Sequence, residues 1–136
     1  PNIRFFEGKD GINAIYEEMF TTHQKMLAIG SLGDLFKIYS QAEFEHWFKI
    51  LRDNGGKIND LLDDTEEAKK YVKAEFRKGL GTYKYLPAGF KLGTDMLIVG
   101  NKVSLVSFSA MVGLLIENAE IAQTQRQTFE FMWKHL

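Results

Sequence analysis

The sequence predicts an α/β fold with a mixed β-sheet, helices packed on its faces and a long helix at the C-terminus. Three observations predict it. Short apolar runs alternate with helical patterns in the first half, an apolar hairpin follows, and the last twenty or so residues have helical periodicity. Alternating strands and helices favour parallel pairing, whereas a hairpin adds antiparallel pairs. No linker, repeat or low-complexity run divides the chain, so we expect a single domain over 1–136.

The chain opens with a predicted strand, helix and second strand. The run NIRFF at 2–6 is apolar and is closed by Glu7-Gly8. The compact apolar run at 25–30 is typical of a buried strand. Between them, apolar residues recur at the spacing of one helix face: Ile12, Ile15, Tyr16, Met19 and Phe20.

The middle of the chain predicts a helix, a strand and another helix. Ser40 stands three residues before Glu43, which is the spacing of a capping box, and an apolar helical stripe follows. The segment 57–62 reads as a strand. The next helix begins at Asp64 or Thr65 and has acidic residues in its first turn, where they interact favourably with the helix dipole.

The second half gathers strands before the last helix. A strand at 82–86 precedes a hairpin at 95–109, whose Gly100-Asn101 turn suits positive φ values. A strand at 112–116 and a helix over 117–136 complete the chain. We expect both hairpin faces to be largely apolar, as in a covered sheet. One face is predicted to carry Leu97, Val99, Val103 and Leu105.

The composition excludes several classes of protein. The formal net charge of −1 provides no surplus of Lys and Arg for phosphate binding. With no Cys, the chain has no disulfide, thiolate nucleophile or Cys-ligated zinc. There is no signal peptide and no apolar run near the ~20 residues that span a bilayer, so we predict a cytoplasmic protein without membrane contact. Because the chain opens with Pro1 rather than Met, we expect it to be a fragment.

No catalytic or metal-binding constellation stands out, and we predict no cofactor. His23, His46 and His135 have no metal-ligand spacing to one another or to a carboxylate. The acids at 63–67 could form a paired-carboxylate site, but a helix start is where acids are expected on electrostatic grounds alone. We therefore predict that the chain is not an enzyme.

The turn at 29–34 is the best candidate for a ligand site, because α/β sheets bind ligands beyond the carboxyl ends of their strands. If the first two strands run parallel, Glu7 and Gly8 reach the same edge as Ser31 and Gly33. A small polar ligand there would meet backbone N–H groups, the Ser31 hydroxyl and the Glu7 carboxylate. The alternative is that Glu7-Gly8 only starts a helix and Ser31 only ends a strand.

Three segments resemble the effector domain of TrmB-type transcriptional regulators. They are IRFFEGKDGINAIYEEM at 3–19, INDLLDDTEEAKKYVKAEF at 58–76, and the hairpin LIVGNKVSLVSF at 97–108 with the strand and helix that follow it. The resemblance implies a phospholipase D-like fold. It also implies that an N-terminal winged-helix domain, absent from this chain, binds the DNA.

The phospholipase D comparison also bears on catalysis. Active members carry His-x-Lys-x-x-x-x-Asp on the strand that leads to the hairpin, with His as the nucleophile and Lys on the phosphate. Neither an imidazole nor a phosphate-binding cation stands at the first two positions here, so the resemblance implies a non-catalytic relative. The alternatives are a divergent phosphodiesterase or a stand-alone small-molecule-binding module. In this chain the motif's His position falls on Thr94 or Asp95, its Lys position on Met96 or Leu97, and its Asp position on Asn101 or Lys102.

The resemblance further implies effector sensing and dimerisation. In sugar-responsive members a β-rich segment follows the closing helix, and this chain ends at Leu136, so we expect another kind of small-molecule effector or a mainly dimer-forming role. Phe131 lies away from Phe129 and Trp133 on the last helix and widens its apolar arc. We predict that these three residues form a homodimer interface. Otherwise Phe131 is a lone exposed aromatic residue.

Overall fold

The computed structural model describes residues 2–136 and has the predicted mixed α/β architecture. Seven strands form one sheet: β1 (Asn2–Glu7), β2 (Lys25–Gly30), β3 (Lys57–Leu62), β4 (Gly81–Tyr85), β5 (Thr94–Val99), β6 (Lys102–Ser107) and β7 (Val112–Glu117). Five α-helices accompany them: α1 (Gly8–Phe20), α2 (Leu32–Ile38), α3 (Gln41–Asp53), α4 (Glu66–Lys73) and α5 (Ala119–Lys134). A short 3₁₀ helix covers Glu75–Arg77.

The sheet order is β1-β7-β6-β5-β2-β3-β4. Strands β2, β3 and β4 pair in parallel, whereas all other neighbours are antiparallel. The predicted mixed sheet is therefore confirmed. Strand β1 is an edge strand, because it pairs with β7 alone.

Two hydrophobic clusters lie on the two faces of the sheet. The larger cluster joins α1, α3 and α4 to one face and contains most of the buried aromatic side chains. The smaller one packs α5 on the other face, around Leu27, Ile98 and Phe129. Both faces of the central strands are consequently apolar, as the sequence predicts.

The helices α3 and α4 begin at capping residues that the sequence indicates. The Glu43 backbone N–H donates to Ser40 Oγ at 3.2 Å and the Ser40 N–H donates to Glu43 Oε1 at 3.0 Å, so the predicted capping box is present. Of the two candidates for α4, Thr65 is the cap, since its Oγ1 accepts from the Ala68 N–H at 3.1 Å. Each cap gives a first-turn N–H group an acceptor that the helix itself cannot provide.

The hairpin has the predicted two-residue turn but a different arrangement of faces. Only Gly100 of the turn has a positive φ, 54°, as in a type II′ turn. Leu97 pairs with Ser104, and Ile98 pairs with Val103. The prediction that Leu97 and Val103 share a face is wrong. A two-residue turn pairs residues placed symmetrically about it, so Leu97 shares a face with Ser104, and Val103 lies on the opposite face with Ile98.

Candidate functional site

The predicted edge site is split by the sheet order. Four antiparallel pairings separate β1 from β2, so the two strands run in the same direction and Glu7 and Ser31 leave the sheet at the same edge. Three strands lie between them, however, which corresponds to about 19 Å at the usual strand spacing. The structure therefore does not bring Glu7 and Gly8 to Ser31 and Gly33. The ligand-binding role of either pair stays a prediction.

The Gly- and Ser-containing segment after β2 forms the start of a helix rather than a turn. Ser31 is the N-cap residue of α2, and Gly33 lies inside that helix. Asp63, which follows β3, accepts a hydrogen bond from the Leu32 N–H at 3.3 Å. Its Oδ2 lies 3.5 Å from Ser31 Oγ. Asp63 thus already provides an acceptor for the Leu32 N–H and the Ser31 hydroxyl at this edge.

The three aromatic residues predicted at an interface have different surroundings. Phe129 is only 2% exposed and belongs to the hydrophobic cluster under α5. Trp133 is partly buried and stacks on Phe129 with ring centres 5.8 Å apart. Phe131 is 66% exposed. Of the three, Phe131 therefore has the accessible aromatic surface.

The most distinctive site is a cavity of about 50 Å³ between the sheet and the helices α1, α2 and α3. Its floor comes from β2, β3 and β5, and its walls are mostly aromatic. By this measure it has space for several water molecules or a small organic group. We call it the aromatic cavity; its ring-bearing residues are Tyr16, Phe20, Tyr39, Phe44, Trp47, Phe48 and Tyr71.

Asp95 is a buried carboxylate at the floor of the aromatic cavity. It is 4% exposed, and the Tyr16 hydroxyl donates to its Oδ2 at 2.8 Å. Burial raises the pKa of Asp95 to about 7; the Tyr16 hydrogen bond opposes this shift and the charge of Asp60 adds to it. Gly30 leaves room for the carboxylate, because a Cβ there would collide with Asp95 Oδ1.

Asp60 is the second carboxylate that lines the cavity, and its charge is compensated. Arg77 Nη2 and Nε donate to Asp60 Oδ2 at 2.9 and 3.1 Å, and the Tyr71 hydroxyl donates to the same atom at 2.8 Å. Burial raises the pKa of Asp60, and the Arg77 charge opposes that shift. Among residues 2–136, no Lys, Arg or His forms an ion pair with Asp95 in the same way.

Two more residues of the cavity wall have buried polar atoms without a partner. Within the described part of the chain, neither the Tyr39 hydroxyl nor Trp47 Nε1 makes a hydrogen bond. Burial raises the pKa of Tyr39, so its hydroxyl stays protonated. An indole N–H is a donor only. Both groups are therefore buried without a protein partner among residues 2–136, and the Tyr39 hydroxyl can accept a hydrogen bond as well as donate one.

The histidines lie elsewhere and form no comparable site. His46 Nε2 lies 3.4 Å from Glu17 Oε2, and both side chains are more than half exposed. His23 and His135 are also exposed. Across residues 2–136, no three His, Asp or Glu side chains group as ligands for a metal ion. The aromatic cavity, in contrast, combines enclosed space with two buried carboxylates, Asp60 and Asp95.

The sequence patterns do not single out this cavity, because aromatic residues at helical spacing are typical of core packing, which is also their role here. The usable signal is an acid at an inward-facing strand position. Asp95 alternates with Leu97 and Val99 in β5, and Asp60 alternates with Ile58 and Leu62 in β3.

No helix among residues 2–136 has both the length and the apolar character to cross a bilayer. No protein-family model matches the chain, and no curated protein sequence does. Among solved structures, the chain is similar to TrmBL2, described as an archaeal chromatin protein with a novel mode of DNA binding. The TM-score is 0.69 at 15% sequence identity, over 99% of this chain and 53% of that chain. The chain thus has the fold of a segment of TrmBL2 and spans about half of its length.

Proposed function

We propose that this chain is the regulatory domain of a TrmB-like transcriptional regulator, that it folds as one domain over 1–136, and that it senses a small molecule without catalysing a reaction. The fold likeness to TrmBL2 and the three TrmB-like sequence segments support the regulator assignment. The DNA-reading part is then a winged-helix domain that is not included in this chain. The aromatic cavity is the proposed effector site.

The observation that carries the sensing role is the uncompensated carboxylate of Asp95 in the aromatic cavity. Burying a carboxylate without a cation costs several kcal/mol, and an apolar side chain of similar size would be more stable there. Strongly perturbed carboxylates in cavities are typical of binding and catalytic sites. Within residues 2–136, the cavity lining places no Ser, Thr, Cys, Lys or His beside Asp95, which favours ligand binding over nucleophilic catalysis.

Homodimerisation is the second part of the proposal, and exposed apolar side chains favour it. Ile3 and Phe5 on β1 are 67% and 57% exposed, and they pair with Ile116 and Leu114 of β7. They lie on the face that carries α5, but α5 packs on β5 and β6. Phe131 adds an exposed aromatic ring on α5 itself. Apolar surface on an edge strand is a common site of self-association.

A thermal-shift screen of small molecules tests the effector site. A molecule at 100 times its dissociation constant stabilises the folded state by about 2.7 kcal/mol, which raises the melting temperature by several degrees. Ala28 lines the cavity floor, so Ala28→Val fills part of the space and is expected to abolish the shift.

The predicted edge site provides the matched controls. Glu7→Gln and Ser31→Ala change residues outside the aromatic cavity, and the shift is expected to survive both. A shift that survives Ala28→Val but disappears with Ser31→Ala or Glu7→Gln would move the site to the sheet edge. A broad panel without any hit would contradict the sensing role.

A further inference from the structure

We infer that the aromatic cavity binds a small organic cation, with an ammonium group seated against Asp95 and enclosed by the aromatic walls. The inference rests on the proposed effector site and specifies the chemistry of its ligand. Neither the TrmBL2 likeness nor the TrmB-like sequence segments indicate this class of ligand.

The charge balance of the cavity is the first argument. Two carboxylates line it, Asp60 and Asp95, and one guanidinium, that of Arg77, pairs with Asp60. The remaining negative charge belongs to Asp95, whose hydrogen-bond donor is the neutral Tyr16 hydroxyl. A bound cation would supply the missing partner, and a buried charge is stable only when it is paired.

The walls supply the second argument, because aromatic faces attract cations. Tyr16 stands at the centre of the wall, with ring centres of Tyr39, Trp47 and Phe20 at 5.9, 6.0 and 6.2 Å from its own. A carboxylate at the floor and several rings around it are the components of a site for an alkylated ammonium group. A neutral apolar ligand would leave Asp95 buried and unpaired.

Binding should depend on pH through Asp95. Three groups face it directly: the Tyr16 hydroxyl from α1, Asp60 from β3, and Tyr39, which follows α2. Asp60 in turn is paired with Arg77 of the 3₁₀ helix and with Tyr71 of α4. Lys9 lies outside, 5.1 Å from the Tyr39 ring centre, and pairs with Glu43 at 3.1 Å.

The pKa of about 7 sets the size of the effect. About 90% of the Asp95 side chains are ionised at pH 8 and about 3% at pH 5.5. Cation affinity should therefore fall about 30-fold between pH 8 and pH 5.5.

A ¹H–¹⁵N NMR titration with trimethylammonium and n-propylammonium tests the inference, with tert-butanol and 1-propanol as neutral ligands of similar size. Sodium chloride holds the ionic strength constant. Such small ligands have dissociation constants on the order of millimolar. The chain has two Trp residues, so the indole N–H signals are easily assigned. The Trp47 signal is expected to shift, while that of Trp133, on the other face of the sheet, serves as the internal reference.

Two variants isolate the charge. Asp95→Asn keeps the size of the side chain and is expected to abolish cation binding. Asp64→Asn removes the same charge from an exposed loop position and should bind as the wild type does. The inference is overturned if neutral and cationic ligands bind equally, if Asp95→Asn still binds the cations, or if the cations do not bind at all. Neutral ligands that move Trp47 and are blocked by Ala28→Val would overturn only the ligand class and would leave the effector site in place.

Discussion

Asp95 lies in a strand whose other inward-facing side chains are apolar, and Gly30 on the neighbouring strand leaves space for its carboxylate. Its hydrogen bond from Tyr16 spans 79 positions of the chain. Burial is the main reason that the pKa of Asp95 is raised to about 7. The hydrogen bond from the neutral Tyr16 hydroxyl lowers it only in part, and repulsion from the Asp60 charge raises it further. A single residue therefore couples the charge of the cavity to the stability of the fold.

Replacement of Asp95 by Asn should change how stability depends on pH. The pKa of Asp95 in the folded chain lies above the value of about 3.9 for an unfolded Asp. The stabilisation from its protonation is therefore fully present below about pH 4 and is lost as the pH rises through about 7. Because one pKa unit corresponds to about 1.4 kcal/mol, Asp95→Asn should be more stable than the wild type by about 4 kcal/mol at pH 8, and by only about 1 kcal/mol at pH 4.5.

Urea unfolding at pH 4.5, 6 and 8 measures this difference. Asp64→Asn is the control, since that exposed carboxylate should change stability little at any of these pH values. A wild-type advantage over Asp95→Asn at pH 8 would mean that the carboxylate is compensated in the folded chain.

Strand β1 carries the two most exposed large apolar side chains of any strand in residues 2–136, Ile3 and Phe5. One side of β1 faces α1, with Phe6 packed on the larger cluster, while Ile3 and Phe5 on the other side remain exposed. Most of α5 lies towards β5, β6 and β4, where Lys84 Nζ donates to the Trp133 carbonyl at 2.7 Å. The α5 helix thus leaves the outer face of β1 uncovered.

If this face joins two copies, Phe5→Ser should convert a dimer into a monomer. A two-fold contact uses the same patch twice, so one substitution removes two apolar side chains from the interface. Sedimentation equilibrium should give twice the monomer mass of 15.6 kDa for the wild type and the monomer mass for Phe5→Ser. Phe131→Ser is the companion variant, and dissociation by that change alone would place the interface on α5. A wild-type chain that is monomeric at high micromolar concentration would contradict the dimer.

The charge of the chain predicts that it does not bind duplex DNA by itself. The chain carries 17 Lys and Arg against 18 Asp and Glu, and several of the cations are paired on the surface, such as Arg4 with Glu18 at 2.6 Å. Since binding to duplex DNA depends on releasing counterions through clustered cations, we expect no binding by this chain alone at physiological salt.

A gel-shift titration of this chain with duplex DNA checks that expectation. The longer protein with the proposed winged-helix domain is the positive control, and it should bind under the same conditions. Micromolar, salt-sensitive binding by the chain itself would show that this domain contacts the DNA directly.

Local signals in the sequence were sufficient for most elements. The capping box at Ser40 and Glu43, the periodic apolar stripe of α1 and the Gly100 turn each act within a few residues, so pattern alone predicts them. The short helix α2 escaped prediction because its start depends on Asp63, 31 positions away from Leu32 along the chain.

The mixed α/β class, the helix caps, the hairpin and the lack of a cationic surplus can be predicted from the sequence, because each depends on nearby residues or on composition. Which strands are neighbours and which side chains share a site follows from the folded chain alone. Pairing β1 with β7 placed three strands between Glu7 and Ser31. Folding α1 and α3 over the sheet brought Tyr16 to Asp95 and Trp47 into the same cavity. The physical reason is that these contacts join residues far apart in the chain, and burial of apolar surface on both sheet faces, rather than any local motif, selects among the possible strand orders.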